Sequence, residues 1–269
     1  MFDGVFIIRK LNEFHAPAIV AIVEELEYWF LKYKVPVIYK SNEITPSTLF
    51  VSVGGDGTML YTMKLALATN SPVLGIAAGN LGFLTDFDKV SLRSTVKAVL
   101  NGAVTLEPRM ILTAQLDDKE FIAVNEFVVS NLYSDNMLKY ELIIGGRSAG
   151  THTANSVITA SPTGSTAYAL SAGGAIIEPS MQALEIIPVA PVTMTSRPII
   201  TGADEVVIKV NPWPHTTISL KADGQEVMQA NGETPTVLTV RKSGTVDIMH
   251  TQDWNFYTTL SNKLGWNKK

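Results

Sequence analysis

Cysteine is absent from this 269-residue sequence, which excludes disulfide scaffolds, thiolate metal sites and cysteine nucleophiles. Charge is sparse as well: Asp, Glu, Lys and Arg make up 17%, and the balance is acidic, with a net charge of −4. No basic run stands out, and Lys268–Lys269 reads as a solvated tail, so no nucleic-acid partner held by phosphate neutralisation is expected. The opening MFDGVFIIRKLNEF lacks the basic start and long apolar run of a secretory leader; it reads as a first strand, with the cytoplasm as default compartment. Leu65–Thr85 is uncharged and long enough to span a bilayer, but Pro72, three glycines and two asparagines break it into strands and turns. No membrane association is expected. Four histidines (His15, His152, His215, His250) show no metal-binding spacing, and no serine combines a nucleophile elbow with a histidine partner. A structural metal and a serine hydrolase are both disfavoured, and no protein side chain is assigned as a metal ligand.

What is present divides in two. Through residue 107 the pattern alternates: strands at Val5–Ile8, Val35–Tyr39, Leu49–Val53 and Val73–Ile76, helices at Ala16–Tyr33, Thr58–Ala68 and Leu92–Leu100. Such alternation with short links implies a parallel sheet covered by helices. From 108 to 249 the texture changes to short strands split by Asp-Asp, Gly-Gly, Asp-Gly and Asn-Gly signals, the mark of an antiparallel β domain. Strands are expected at 111–116, 121–123, 127–129, 140–144, 157–159, 206–210, 216–220, 237–240 and 246–249. Residues 250–269 carry Trp254, Phe256, Tyr257, Leu260 and Trp266, too many large apolar groups for a free tail, so they should dock back on a domain. The expected fold class is therefore α/β plus all-β.

Four stretches can carry chemistry. In TLFVSVGGDGTML a strand-like run stops at Gly54-Gly55-Asp56-Gly57-Thr58 and a helix-like pattern begins. Helix-start amides bind phosphate, and glycine admits a ligand to the backbone. An acid there can accept or orient a substrate hydroxyl proton, or meet a phosphate-bound magnesium ion; the plain alternative is an N-cap at a tight turn. The turn is neither a Walker loop nor a Rossmann G-x-G-x-x-G, because Leu60 occupies the last position. Gly75–Asp86 reads GIAAGNLGFLTD, in which Phe83 suits either an adenine floor or core packing. Asn125-Glu126 offers the donors and acceptors that a ribose diol needs, or sits on a plain hairpin edge.

The fourth, SPTGSTAYALSAGG, lies inside Ser148–Ile177, thirty residues without Asp, Glu, Lys or Arg where average usage would give about five. Its hydroxyls could form a neutral hydrogen-bonding wall, with Tyr168 free to stack on a base, or simply cap a turn. A helix is expected over Thr166–Ala172, giving a second helix start fed by a glycine-rich turn, and a ligand cleft between the domains. Asp223-Gly224-Gln225 is a hairpin signal first.

Taken in order, these motifs resemble the ATP- or polyphosphate-dependent NAD kinase family. The resemblance runs from about Val51 to Val240 and includes GGDGT, GNLGFLTDF, Asn125-Glu126, SPTGSTAYALSAGG, Ser196-Arg197-Pro198 and DGQ. GGDGT is shared with lipid kinases and some phosphofructokinases; the TGSTAY-x-LSAGG string is the more specific signal. The resemblance implies that Asp56 takes the proton of the adenosine ribose 2′-hydroxyl as that oxygen attacks the γ-phosphate of ATP. It implies a phosphate site at Gly54, Gly55, Gly57 and Thr58, and an NAD site that includes Asp56, Gly57, Phe83, Asn125, Glu126 and Asn155. Thr166, Ala167, Tyr168, Ser171 and Gln225 would complete the dinucleotide site. It further implies magnesium or another divalent ion with ATP or polyphosphate, and a homodimer or homotetramer.

Three positions depart from the family's pattern: Asn155-Ser156 stands for Asp-Gly, Thr153 for arginine and Val192 for histidine. The first two are expected to alter NAD binding or the choice between NAD and NADH. The competing readings are a lipid or sugar kinase of the same superfamily and a non-catalytic NAD(P)-binding regulator.

Overall fold

A computed structural model describes residues 2–9, 16–132, 137–214 and 216–266. His15 and His215 lie outside the described residues. In chain order the first elements are β1 (Gly4–Arg9), α1 (Pro17–Lys32), β2 (Val37–Ile38), β3 (Thr48–Gly54), α2 (Asp56–Leu67), β4 (Val73–Ala77), β5 (Phe87–Asp88) and α3 (Leu92–Leu100). Then come β6 (Val104–Leu116), β7 (Lys119–Ala123), β8 (Glu126–Asn131), β9 (Leu138–Ile144), β10 (Arg147–Ala154), β11 (Ser156–Ala160) and the four-residue α4 (Tyr168–Ser171). The chain closes with β12 (Leu184–Val189), β13 (Ile199–Thr201), β14 (Glu205–Val210), β15 (Thr217–Ala222), β16 (Gln225–Asn231), β17 (Thr236–Thr251) and α5 (Phe256–Leu264). Two compact units divide these elements, one made of 1–108 with 246–269 and the other of 109–245, so the boundaries fall within β6 and β17.

The first unit is built on a parallel sheet. β1 lies between β2 and β3, β3 pairs with β4, and β4 pairs with both β5 and the end of β17 at Ile248–Met249. Every residue of β3, TLFVSVG, is buried, as a parallel strand covered on both faces requires. In α1 the buried residues Ile19, Ile22, Val23, Leu26 and Phe30 recur at helical spacing, and they join β-strand Val5, Leu49, Val51 and Ile76 in one core. The C-terminal segment belongs to this unit: Asn255 caps α5 by accepting from the amides of Tyr257 and Thr258, while Phe256 and Leu260 are buried.

The second unit holds antiparallel strands. One set runs β10-β9-β14-β17, with β6 and β7 forming a hairpin; the other runs β13-β12-β11-β8-β15-β16. In β14 Val206, Ile208 and Val210 alternate inward, whereas β8 and β11 sit in the middle of their sheet and are buried almost throughout. The core combines Leu138, Tyr140, Leu142 and Ile208 with Phe127, Val129, Ile186 and Leu220.

Some expectations need correction. The strands read at 237–240 and 246–249 are one strand, β17, which runs through Ser243-Gly244. β10, β12, β13 and β16 carry no strand signal in the earlier reading; β10 (RSAGTHTA) and β16 (QEVMQAN) are polar strands whose pairing, not composition, makes them β. The helix read over 166–172 is a 3₁₀ turn at Gly164–Thr166 followed by the single turn α4, without a side-chain cap.

The α1 face gives a direct check. Phe30→Ala should cost about 3–5 kcal/mol of unfolding free energy, while Leu31→Ala on the exposed face should stay within about 0.5 kcal/mol. Equal losses in urea titrations would mean that another face of α1 packs.

Candidate active site

β3 delivers the chain to Gly54, and Asp56 becomes the first residue of α2, with Gly55 at the N-cap position. Asp56 is therefore not the cap. Its carboxylate is occupied instead by the loop after β4: Oδ2 accepts from the amide of Phe83 at 2.9 Å and Oδ1 from that of Leu84 at 3.1 Å. Gly82 stands so close that a Cβ there would fall within the Asp56 carboxylate, and its own amide donates to Thr85 Oγ1 at 2.8 Å. The loop begins with the Ala78 amide donating to the Gly54 carbonyl at 3.2 Å. The acid read from sequence as standing bare is thus held by two main-chain donors, and remains half-exposed. Amide bonds to an ionised carboxylate are stronger than neutral ones, so they fix its direction as well as its position.

The glycines of this turn do different jobs. A Cβ at Gly54 would collide with Thr58, so the fold itself needs glycine there. At Gly55 and Gly57 a Cβ would meet nothing within 4 Å, and neither has the left-handed backbone that favours glycine. The first amides of α2 are left without helical acceptors by the geometry of a helix start, and they look out past these two residues.

In the second unit the hydroxyl-rich segment follows β11. The sequence reads its serines and threonines as either a ligand-facing wall or a capping turn, and two of them, Ser161 and Ser165, are spent inside the fold. Ser161 Oγ donates to the Val124 carbonyl at 2.6 Å and accepts from the Gly164 amide; Ser165 Oγ donates to the Pro162 carbonyl at 2.7 Å and accepts from the Ile177 amide at 2.9 Å. Ser161, Thr163 and Ser165 are buried, while Thr166 and Ala167 are half-buried and Tyr168 and Ser171 exposed. Gly164 touches the Asn125 main chain so closely that no side chain fits. These contacts bring SPTGST and Asn125-Glu126 together.

Asn125 and Glu126 are held from the other side by Asp223. Its carboxylate accepts from the Asn125 amide at 2.7 Å and the Val124 amide at 3.0 Å, and its own amide donates to the Glu126 carbonyl. Asp223 and Gly224 both have positive φ, the two-residue turn that lets β15 fold back into β16 and places Gln225, exposed, at the first position of β16. Glu126 is only 4% exposed, and its Oε2 has no hydrogen-bond partner. Burial, then the nearby Asp223 charge, push its carboxyl up to about 7. A buried carboxyl near its midpoint at neutral pH can either donate to or accept from a ligand.

An open cavity of about 420 Å³ in this unit has Asn155, Ser156 and Tyr168 on its wall, with Val128, Ser130 and Lys221. Of the residues read from sequence, it gathers Asn155 and Tyr168; Asn125, Glu126, Thr166, Ala167, Ser171 and Gln225 are not among its lining. Phe83, Asp56, Gly57 and Thr58 belong to the first unit, and what Phe83 visibly supplies is its amide. Sequence reasoning missed Asp223, Lys221 and Glu185. Asp223 was visible only as a turn former, and Lys221 as an ordinary strand lysine. Glu185 is fully buried, accepts from the Ala175 amide at 2.6 Å, and its carboxyl is pushed up by desolvation against that bond. A Cβ at Gly174 would press on it.

Comparison with known proteins gives a consistent result. Residues 44–104 match the ATP-NAD kinase N-terminal domain and residues 124–246 the ATP-NAD kinase C-terminal domain. The chain is similar to a protein named NAD kinase from Legionella pneumophila (strain Paris), 33% identical over 245 residues, or 88% of this chain and 82% of that one. It is 37% identical to an NAD kinase of Azotobacter vinelandii over 82% of this chain and 77% of its relative, and 39% identical to one of Pseudomonas aeruginosa (strain LESB58) over the same shares. In fold it is similar to a yeast NADH kinase solved with NADH (TM-score 0.85, 24% identity, 100% and 89% of the two chains covered). An Archaeoglobus fulgidus NAD kinase solved with ATP also shares the fold (TM-score 0.78, 22% identity, 97% and 98% covered).

The Glu126 environment makes a pH-dependent signature. Its folded pKa is raised, so the neutral form is favoured on folding; the associated stability is full below the ordinary value of 4.5 and is lost as pH rises from there through about 7. In ligand-free protein, Glu126→Gln should gain on wild type by about 3 kcal/mol between about pH 4 and pH 8, with little further change above that. A difference that does not vary with pH in thermal or urea unfolding would refute this assignment.

Proposed function

The chain belongs to the NAD kinase family, and from that premise we propose that it transfers the γ-phosphoryl group of ATP, or the end group of polyphosphate, to the adenosine ribose 2′-hydroxyl of NAD, giving NADP. The observation that carries this reading is the Asp56 carboxylate, aimed by two amides and half-exposed at a phosphate-suited helix start. Phosphoryl transfer asks the protein for position and one proton acceptor more than for covalent work. The new bond joins the 2′-oxygen to the γ-phosphorus; the bridging bond to the β-phosphate breaks, ADP leaves, and the hydroxyl proton goes to Asp56. Because Oδ1 and Oδ2 each already hold one amide, the remaining lone pairs have fixed directions and need little rearrangement at the moment of transfer.

To the phosphates we assign the α2 start with Gly54, Gly55, Gly57 and Thr58. In the second unit Asn125 and Glu126 suit a ribose or an adenine edge, Tyr168 a base face, and Thr166, Ala167, Ser171 and Gln225 the remaining contacts. Lys221, on the same cavity wall as Asn155 and Tyr168, matches the charge of a pyrophosphate. Magnesium, or another divalent ion, would come with the triphosphate and neutralise its charge. Among the described residues no group of three His, Asp or Glu is placed to hold a metal ion. No described helix is long and apolar enough to cross a membrane. A cytoplasmic homodimer or homotetramer completes the proposal.

Incubation with ATP, magnesium and NAD, followed by NADP detection with a coupled dehydrogenase, tests it directly. Asp56→Asn should lower kcat by ~10²–10⁴-fold while leaving KM for both substrates within ~3-fold. Full turnover in that variant would remove Asp56 from the chemistry. NADP binding without turnover in wild type would favour a regulator, and thermal stabilisation by a lipid instead of NADP would favour a lipid kinase. Asn155→Asp should shift the ratio of kcat/KM for NAD and NADH; an unchanged ratio separates this position from substrate choice.

A further inference from the structure

Within the first unit, a buried charged cluster lies behind the loop that grips Asp56. His250, on β17, is fully buried. Its Nδ1 faces Asp86 Oδ2 at 2.5 Å and its Nε2 faces Glu107 Oε2 at 2.9 Å, while its ring stacks on Trp254 with centroids 4.0 Å apart. A neutral imidazole has one N–H, yet both ring nitrogens here meet carboxylate oxygens. Two ionised carboxylates are satisfied together only by an imidazolium, which donates to both. Burial opposes that charge, but the bonds to Asp86 and Glu107 and their negative charges outweigh it and raise the His250 pKa. Asp86 and Glu107 are the ionisable groups that set this balance, one from the loop and one from β6; Trp254 contributes a face and no charge.

The sequence position of Asp86 is what connects this cluster to the site. The loop leaves β4 with Ala78 tied to Gly54, turns with Gly82 tied to Thr85, and presents Phe83 and Leu84 to Asp56. Asp86 follows two residues later, just before β5. We propose that His250 is a positioning residue for phosphoryl transfer: bridged between Asp86 and Glu107, it anchors the far end of the 78–86 loop so that the Phe83 and Leu84 amides hold the Asp56 carboxylate in its reactive direction. The hydrogen bonds of His250 go to Asp86 and Glu107, so any influence on Asp56 passes through the loop. Its removal takes away the donor to both carboxylates, and loss of its second proton sets a ring-nitrogen lone pair against one of them; either way Asp86 shifts and carries the loop with it.

The catalytic part of this inference rests on the kinase reading, and the test keeps the two apart. In His250→Gln, kcat for NADP formation should fall at least ~10-fold with KM for ATP and NAD within ~2-fold, since the loss is in alignment and not in binding. The wild-type kcat should fall as pH rises through the raised His250 pKa, and this limb should vanish in the variant. Amide hydrogen exchange at Phe83 and Leu84 should quicken by ~10-fold in the variant, a readout that needs no activity. A folded His250→Gln protein with unchanged kcat and unchanged exchange overturns the proposal. If wild type makes no NADP, the kinase reading fails and the exchange rates still decide the anchoring. Should His250→Gln not fold, the triple variant His15→Gln, His152→Gln and His215→Gln leaves His250 as the only histidine of four. Its ring resonances should then titrate with the same midpoint as kcat; a ring already neutral at pH 7 overturns the proposal.

Discussion

A carboxylate held by two consecutive main-chain amides is the contact on which the chemistry proposed for the first unit depends. Asp56 sits at the start of α2, and Phe83 and Leu84 reach it from the next strand's exit, so the grip links β3, α2 and β4 at the ends of their parallel strands. Parallel sheets place such strand exits side by side, which is why two segments nearly thirty residues apart meet there. The contact tolerates little change. Gly82 has no room for a side chain, because that space is taken by the carboxylate itself. An acid in this setting is aimed, and an aimed acid needs little movement to receive a proton.

The second unit puts some of the polar side chains of its β interior to structural use. Ser161 and Ser165 each donate and accept within the fold, and Thr166 donates to the Thr163 carbonyl, so these three hydroxyls brace the turn after β11. Asp223 does for Asn125 what the loop does for Asp56: it fixes a main-chain segment through amide-to-carboxylate bonds. Glu126, between them, keeps an unpartnered buried oxygen. Buried polar atoms are normally satisfied, and one that is not marks a place where a partner from outside the chain would be stabilising. Ser161 and Ser165 thus serve the scaffold, a use that composition alone does not reveal.

How far these features were legible in the sequence depends on the range of the interactions involved. The buried run of β3, the face of α1 and the full extent of α3 show in local periodicity, and GGDGT shows as the end of a strand before a helix. β10 and β16 did not show, because a polar strand is made by its neighbours' hydrogen bonds and not by its own side chains. The same limit hid the partners of Asp56. They are main-chain amides, which carry no residue identity, so nothing in GFLT reveals that Phe83 and Leu84 matter as donors. Asp223 was readable as a turn residue, since Asp-Gly is a local signal. Its grip on Val124 and Asn125, 99 and 98 residues away, was not.

Glycine separates what the fold needs from what a ligand needs. Gly54, Gly82 and Gly164 are each fixed by a collision inside the chain, with Thr58, Asp56 and Asn125 respectively. Their identity is explained before any substrate is considered. Gly55 and Gly57 flank the same aspartate, yet a Cβ at either would point into open space, and neither adopts the left-handed conformation. Glycine costs conformational entropy on folding, by roughly 0.5–1 kcal/mol relative to alanine inside a helix, and Gly57 lies within α2. The folded chain alone offers no return for that cost. A phosphate group drawn to the unpaired amides of the α2 start does, because it can approach the main chain only where no side chain intervenes. On the proposed function, the two glycines that the structure leaves unexplained are the ones that a phosphate at this helix start would explain.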